Sequence, residues 1–422
     1  MEVDFSLFSS DSSDDELEQM GLVLLRAHSM VADAELTGDH HSRSRRPNID
    51  RSAEEGAQRL VTDYFADNPT YNDAQFRRRF RMSRELFVRI VQDVKAANSY
   101  FVQRADATGK LGLTSLQKCT AAMRQLAYGC PADAVDEYLR LSESTARNCL
   151  LEFCRTIVRI YEKQYLRTPN ESDLRRLLDE GRSRGFPGML GSLDCCHWEW
   201  KNCPTAWAGQ YKGKEKKPTI VLEAVASYDL WIWHAFFGMP GSTNDINVLE
   251  RSPLFSDLYC GRTPPVEFEV NGRAYTTGYY LADGIYPPLS KLVQTIPSPF
   301  GQKRKHFAKL QEAARKDVER AFGVLMARFA NSEESCSICR EDLATIMRSC
   351  IILHNMIIEH QRDASTELKE SSGSTMDHYM GFEDGSFSAF LERYENVHNA
   401  TVHNQLQEDL IEHLWRVRGE EE

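Results

Sequence analysis

The sequence predicts an α/β chain: a small all-α region followed by a mixed sheet flanked by helices. Two observations carry this. Between 71 and 161, apolar side chains recur at spacings of three and four, with Gly129 and Pro131 marking a junction. From Phe186 onward, short β-rich apolar runs meet polar or Gly/Pro residues and alternate with long helical segments. At 422 residues the chain exceeds one ordinary domain, and its 41% hydrophobic and 27% charged content is that of a globular protein. It contains no run of about 18 apolar residues, so no membrane span is expected.

Residues 1–55 are polar and rich in Ser, Asp and Arg, and a disordered tail is expected there. Its first twenty residues hold seven acids and no bases, which does not suit a secretory or transit signal. The "RSRRP" at 43–47 reads as a nuclear-import patch or as a solvated basic tail.

Residues 56–170 read as a helical, helix-turn-helix-like domain. Phe80, Phe87, Ile90, Val91 and Val94 build one apolar face, ringed by Arg77, Arg78, Arg79, Arg81, Arg84 and Arg89. The stretch 113–161 reads helix, turn, helix, turn, helix, with Ser142 or Ser144 as cap of the last. Ser144–Arg155 would be the second helix of the motif, but only Arg147, Asn148 and Arg155 offer polar reach. A packing unit fits the same pattern.

Residues 186–361 form the second unit. "GMLGSLD" is a buried strand ending at Asp194, and "KPTIVLEAVASYDLWIWHAFFGMPG" is a hairpin about "SYD". "GSTNDINVLERSPLF" opens a helix, "TTGYYLADGIYP" is a strand meeting Asp283, and "LVQTI" is a further strand. "KHFAKLQEAARKDVERAFGVLMARF" is a long helix with Phe307, Leu310, Ala314, Val318, Ala321 and Leu325 at helical spacing. "REDLATIMRSCIILHNMIIEHQ" is a second, buried helix. Residues 362–422 read as a linker and an amphipathic C-terminal helix.

Three acids stand out. Asp194 and Asp283 sit at strand ends, and Glu319 lies about 100° from Val318, at the edge of the buried stripe. Such carboxylates repel one another unless cations intervene, and hard oxygen donors select Mg²⁺ or Mn²⁺ over zinc. Two ions about 4 Å apart would activate a water or 3′-hydroxyl and steady the leaving oxygen of a phosphodiester. Capping and turn roles are the alternative for each acid. Asp245 is a rival for the second position, but it sits in the first turn of a helix, where an acid complements the dipole. It is kept as an accessory that orients the site or the DNA.

Eleven scattered cysteines suggest reduced thiols. Cys195, Cys196, His197 and Cys203 suggest zinc, yet adjacent strand residues point to opposite faces and cannot all reach one ion. Cys336 and Cys339 lack a second pair at finger spacing. Trp198, Trp200 and Trp207 read as packing. The net charge of −11 leaves DNA binding to local basic groups. Those groups are Lys212, Lys214, Lys216 and Lys217; Lys303, Arg304, Lys305 and His306; and Arg315, Lys316 and Arg320 around Glu319, with Arg147 in the helical region.

The wording of these blocks is specific. "GSLDCCHWEWKNCPTAWAGQY", "KPTIVLEAVASYDLWIWHAFFGMPGSTNDINVLERSPLF", "YYLADGIYP", "EAARKDVERAFGVLMARF" and "CIILHNMIIE" closely resemble the transposases of plant PIF/Harbinger DNA transposons. "FRRRFRMSRELFVRIV" and "DLIEHLW" also look like family sequence, so the resemblance covers most of 70–415. It implies a DDE nuclease domain of RNase H-like fold, with Asp194, Asp283 and Glu319 matching the metal-binding acids. Thirty-five residues separate the last two, in keeping with that pattern. It further implies two Mg²⁺ or Mn²⁺ ions and a nuclear endonuclease that cuts at terminal inverted repeats. Water would attack first, and the freed 3′-hydroxyl would then join AT-rich target DNA. A Myb-like partner protein would supply much of the DNA binding and the nuclear entry, without which the chain stays cytoplasmic. A second copy of the chain is a further candidate partner. The segment "ANSEESCSICREDL" (330–343) departs from the family's hydrophobic-basic stretch. A domesticated or inactive descendant, kept for nuclear DNA or protein binding, is the rival expectation.

Overall fold

In a computed structural model, residues 49–214, 216–259, 266–329, 340–366 and 387–421 are described. The acidic tail to residue 48, the Cys336/Cys339 pair and nearly all of the atypical segment at 330–340 lie outside them. Residues 51–422 form one compact unit.

Among the described residues, seven α-helices precede the sheet: α1 Ala53–Tyr64, α2 Asp73–Phe80, α3 Arg84–Ala97, α4 Ser115–Tyr128, α5 Asp136–Leu139, α6 Glu143–Tyr165 and α7 Glu171–Ser183. Their starts are written locally. Asn72 with Gln75, Thr114 with Gln117, and Asn170 with Asp173 form reciprocal capping boxes. Ser83 and Ser142 each accept one otherwise orphaned backbone N–H. Phe80 stacks on Phe76 at 4.2 Å and meets Phe87 at 4.8 Å, which locks α2 against α3.

The helix-turn-helix expectation gains no support here. A 3₁₀ turn at Ala132–Val135 and the single turn of α5 separate α4 from α6. The long α6 packs against α4 and against a helix from beyond the sheet. Arg147 pairs with Glu143 at 2.9 Å, and Arg155 with Glu152 at 3.1 Å and Asp342 at 2.9 Å. The helical region also shares its core with the sheet: Phe153, Ile157, Leu222, Trp231, Val318 and Ile351 belong to one apolar cluster. The boundary near 170–186 is therefore a change of architecture within one core.

The sheet has five strands in the order β3-β2-β1-β6-β7. They are β1 Met189–Glu199, β2 Thr219–Ala226, β3 Ile232–Pro240, β6 Tyr279–Ala282 and β7 Leu292–Gln294, with β4 Phe268–Val270 and β5 Arg273–Tyr275 forming a separate hairpin. β1–β2 and β2–β3 are antiparallel, whereas β1–β6 and β6–β7 are parallel. β2 is buried at every position, as a strand covered on both faces must be. Helices α8 Thr205–Tyr211, α9 Asp245–Arg251 and α10 Pro253–Tyr259 follow the first strands; α11 Gln302–Arg328, α12 Arg340–Thr366, α13 Phe387–Val397 and α14 Ala400–Glu421 complete the fold.

Strand alternation sorts the two faces. Ser192, whose hydroxyl bonds the Ala314 carbonyl at 3.2 Å, points to α11. Leu222 and Ala224 cluster with Val318 and Ala321 on that side. Leu193 and Val225 cluster with Leu249 and Phe255 of α9 and α10 on the other.

Three features differ from the sequence expectation. β1 does not end at Asp194: Cys195–Glu199 continue it, pairing with Glu223–Thr219 of β2 after the pairing with β6 has stopped at Ser192. "PTAWAGQY" forms the short helix α8. "FEVNGRAY" forms the β4–β5 hairpin, with Asn271 and Gly272 at φ 52° and 77°, the left-handed pair that a type I′ turn demands.

Candidate active site

Three elements aim carboxylates at one place. Asp194 lies two residues after Ser192 on β1, so it shares the face that looks onto α11. Asp283 follows β6, two residues after Leu281 and on the same side by the same alternation. Glu319 comes from α11, one turn beyond Arg315.

The side chains converge on the Arg315 guanidinium. Its Nη1 lies 2.8 Å from Glu319 Oε1 and 3.7 Å from Asp194 Oδ2, and its Nη2 lies 3.9 Å from Asp283 Oδ1. Backbone donors fix the two aspartates: the Cys195 N–H donates to Asp194 at 2.8 Å and the Gly284 N–H to Asp283 at 2.6 Å. Arg315 Nε is buried without a hydrogen-bond partner among the described residues.

The site is graded from interior to solvent. Asp194 is 17% exposed, Asp283 39% and Glu319 45%. Burial pushes the Asp194 carboxyl up to about 6; its N–H bond and Arg315 oppose this, and Glu319 and Asp245 reinforce it. Burial also raises Asp245 above the ordinary carboxylate range, against the pull of His197 and Lys214 and with the repulsion of Asp283 and Glu223. Asp245 is thus a fourth acid in the same electrostatic neighbourhood. It follows Asn244, the N-cap of α9.

Among the described residues, no group of three or more His, Cys, Asp or Glu side chains is gathered as a metal-binding cluster. The three acids are instead drawn around a guanidinium. Their chemistry nonetheless fits a hard divalent cation: all donors are carboxylate oxygens, and a buried member is held against its own desolvation and the repulsion of its neighbours.

The cysteine–histidine cluster divides between faces. Cys195 packs beside Val221, Met239 and Val248, whereas Cys196 and Trp198 join the core on the α11 side. His197 Nδ1 meets the Thr219 hydroxyl at 3.1 Å. Trp200 is buried with Tyr211 and Ile220, and Trp207 is half-exposed.

The basic candidates fall into two groups. Lys217 pairs with Glu199 at 3.2 Å, Lys303 with Glu412 at 2.7 Å and Arg304 with Glu408 at 2.6 Å. Arg320 pairs with Asp317 at 2.5 Å, and Arg147 with Glu143. Lys212, Lys214, Lys216, Lys305 and Lys316 have no ion-pair partner among the described residues. Sequence reasoning missed the buried Asp317, which Arg184 also holds at 2.6 Å, because its charge interrupts the apolar stripe of α11.

A sheet of mixed polarity thus presents acids from β1, β6 and a following helix, and the chain is similar to the following known proteins. Residues 163–365 match the family model described as plant transposon protein. Residues 56–95 match a second model, a domain of unknown function. The human protein named "Putative nuclease HARBI1" is 24% identical over 228 residues, covering 53% of this chain and 61% of that protein. Its mouse counterpart is 23% identical over the same length and coverage. "Protein ALP1-like" of Arabidopsis thaliana is 25% identical over 292 residues, 66% of this chain and 70% of that protein. The chain thus spans about three fifths of the HARBI1 relatives it matches. No solved structure matches. The plant transposon protein match begins within α6 and ends within α12, so it contains all three acids and Arg315.

Proposed function

We propose that the chain is a metal-dependent DNA endonuclease of the DDE type, descended from a Harbinger transposase. The observation that carries this reading is the convergence of Asp194, Asp283 and Glu319, from three separate elements, on one point beside the sheet. The strand order, with antiparallel pairs on one side of β1 and parallel pairs on the other, supports an RNase H-like sheet. Relatives named as nucleases support the reaction class.

Asp194, Asp283 and Glu319 would hold Mg²⁺ or Mn²⁺. When bound, such ions neutralise phosphodiester charge and lower the pKa of a water or 3′-hydroxyl. The chain's own contributions are positional. The Cys195 and Gly284 N–H groups set the two aspartates. Glu319 is set by Arg315, and Asp245 adds negative charge on the α9 side. Lysines with no ion-pair partner among the described residues flank the acids: Lys214, whose charge acts on Asp245, and Lys316, next to Arg315. Both suit phosphates on either side of the cut. Terminal inverted repeats as substrate, AT-rich targets, a Myb-like partner and a nuclear location complete the proposal.

The test is nicking of inverted-repeat DNA in Mg²⁺ or Mn²⁺ with the Myb-like partner present. The unmutated protein is expected to cut and Asp283→Asn to lose at least about a thousandfold in rate, roughly 4 kcal/mol of barrier. Absence of cleavage by the unmutated protein sinks the enzymatic reading and leaves the domesticated binding protein.

A further inference from the structure

The face of α11 that carries Glu319 continues away from the acids as a row of lysines. Lys305, Lys309, Glu312, Lys316 and Glu319 follow one another at steps of four, three, four and three, so they share one side of the helix. Lys305, Lys309 and Lys316 have no ion-pair partner among the described residues. Their neighbours Lys303 and Arg304, one face round, are paired with Glu412 and Glu408 of α14. In a chain of net charge −11, these three lysines make no ion pair among the described residues even with Glu312 in their midst, which instead accepts from the Thr295 hydroxyl at 3.3 Å.

Two adjoining open cavities border the row. One, of about 940 Å³, is lined by Phe300, Gln302, Lys305, His306, Lys309 and Arg418. The other, of about 550 Å³, is lined by Pro297, Pro299, Lys305, Lys309, Glu312 and Lys316. Lys305 and Lys309 stand on the wall between them. At the far end, Phe300 is 92% exposed. Its loop is stiff: Pro297 and Pro299 fix their own φ, while Ser298 and Gly301 take φ of 52° and 81°. Both faces of the ring are therefore open to a planar group arriving from outside.

We propose that this face is a track for the DNA strand flanking the cut bond, with Phe300 as a stacking platform for an unpaired base at its end. The identity of the ligand as DNA rests on the nuclease reading. Fourteen residues from Lys305 to Glu319 span roughly 21 Å of helix. That is about six nucleotide steps of a duplex strand. The three lysines stand roughly 6 and 10 Å apart along the axis, about two and three such steps, so they suit phosphates spaced along the strand, and an exposed aromatic ring accepts any base by its π-face.

The test measures binding of the full-length protein to fluorescein-labelled DNA in EDTA, where no cleavage occurs. One DNA is fully paired; the other carries an unpaired extension with 2-aminopurine about six nucleotides from the cut position. Lys305→Gln/Lys309→Gln/Lys316→Gln is expected to lower the slope of log affinity against log salt by about 2–3. Phe300→Ala is expected to weaken the extended DNA about tenfold, spare the paired one, and abolish 2-aminopurine quenching. Lys303→Gln/Arg304→Gln should leave the slope unchanged. An unchanged slope in the triple variant, an equal drop in the Lys303/Arg304 control, or quenching that survives Phe300→Ala each overturns the track. Binding that responds as expected in a protein that never nicks DNA overturns the nuclease reading and leaves the track standing.

Discussion

Replacing Arg315 with Gln removes one positive charge and keeps most of the side-chain volume. In the native site that charge lies 2.8, 3.7 and 3.9 Å from oxygens of Glu319, Asp194 and Asp283. A unit charge at about 4 Å is worth roughly 1 kcal/mol in water and about 4 kcal/mol in a partly buried setting. The acids are 17%, 39% and 45% exposed, which places the effect near the lower end, about 1–2 kcal/mol. Arg315 satisfies the same oxygens that the proposed divalent cation would need, so the two would compete. Arg315→Gln should therefore bind Mg²⁺ about five- to thirtyfold more tightly. It should also melt lower than the native protein without metal and recover as Mg²⁺ is added. Calorimetric titration with MgCl₂ and melting across Mg²⁺ concentrations read both effects, with Arg315→Lys retaining the charge and Asp283→Asn removing a ligand. Unchanged or weaker Mg²⁺ binding in Arg315→Gln, while Asp283→Asn loses it, refutes the competition and makes Arg315 a support for the loaded site.

Two further outcomes concern the frame around the site. Asp317 is fully buried between Arg184 and Arg320. Asp317→Ala strands Arg184 and should destabilise by about 3–5 kcal/mol in chemical denaturation; a loss below about 1 kcal/mol would show the pair to be dispensable. His354 is buried, accepts from Arg328 at 3.1 Å and meets the Leu230 carbonyl at 2.8 Å. Burial first, then Arg328, pushes it down to about 3 from the ordinary 6.5, with Asp229 opposing. Its folded pKa is depressed, so its stabilising contribution is complete above pH 6.5 and is lost as pH falls from 6.5 towards 3. At pH 5 the loss is about 2 kcal/mol, and His354→Gln should flatten the stability–pH curve over that window.

What was legible in the sequence was local. Capping residues, apolar spacing and β-rich runs place α3, α6, α11 and β2 because neighbours in the chain decide those features. The continuation of β1 through "CCHWE" was not legible. A strand's length depends on its partners, and β2 goes on pairing where β6 stops. The "NG" of the β4–β5 hairpin is a readable turn signal, but strands of three residues each are too short to show an alternating pattern. The acids could be listed but not gathered. Arg315 was visible as a base beside Glu319, and only the fold shows it also reaching Asp194 and Asp283.

In so acidic a chain, the proposed DNA contact rests on local charge. Charges more than about 8–10 Å apart are largely screened at physiological salt, so the net −11 says little about any one surface. What counts is which cations already have partners. The pairs made by Lys303 and Arg304 cross more than a hundred residues to α14 and could not be foreseen from charge runs. Removing the paired groups leaves Lys212, Lys214 and Lys216 in the loop before β2, and Lys305, Lys309 and Lys316 on α11. Lys214 acts on Asp245, on the α9 side of the acids, while Lys316 adjoins Arg315 on the α11 side. Cations without an ion-pair partner among the described residues thus flank the acids from two separate elements, the distribution required if a phosphodiester is to be drawn towards carboxylates that would otherwise repel it.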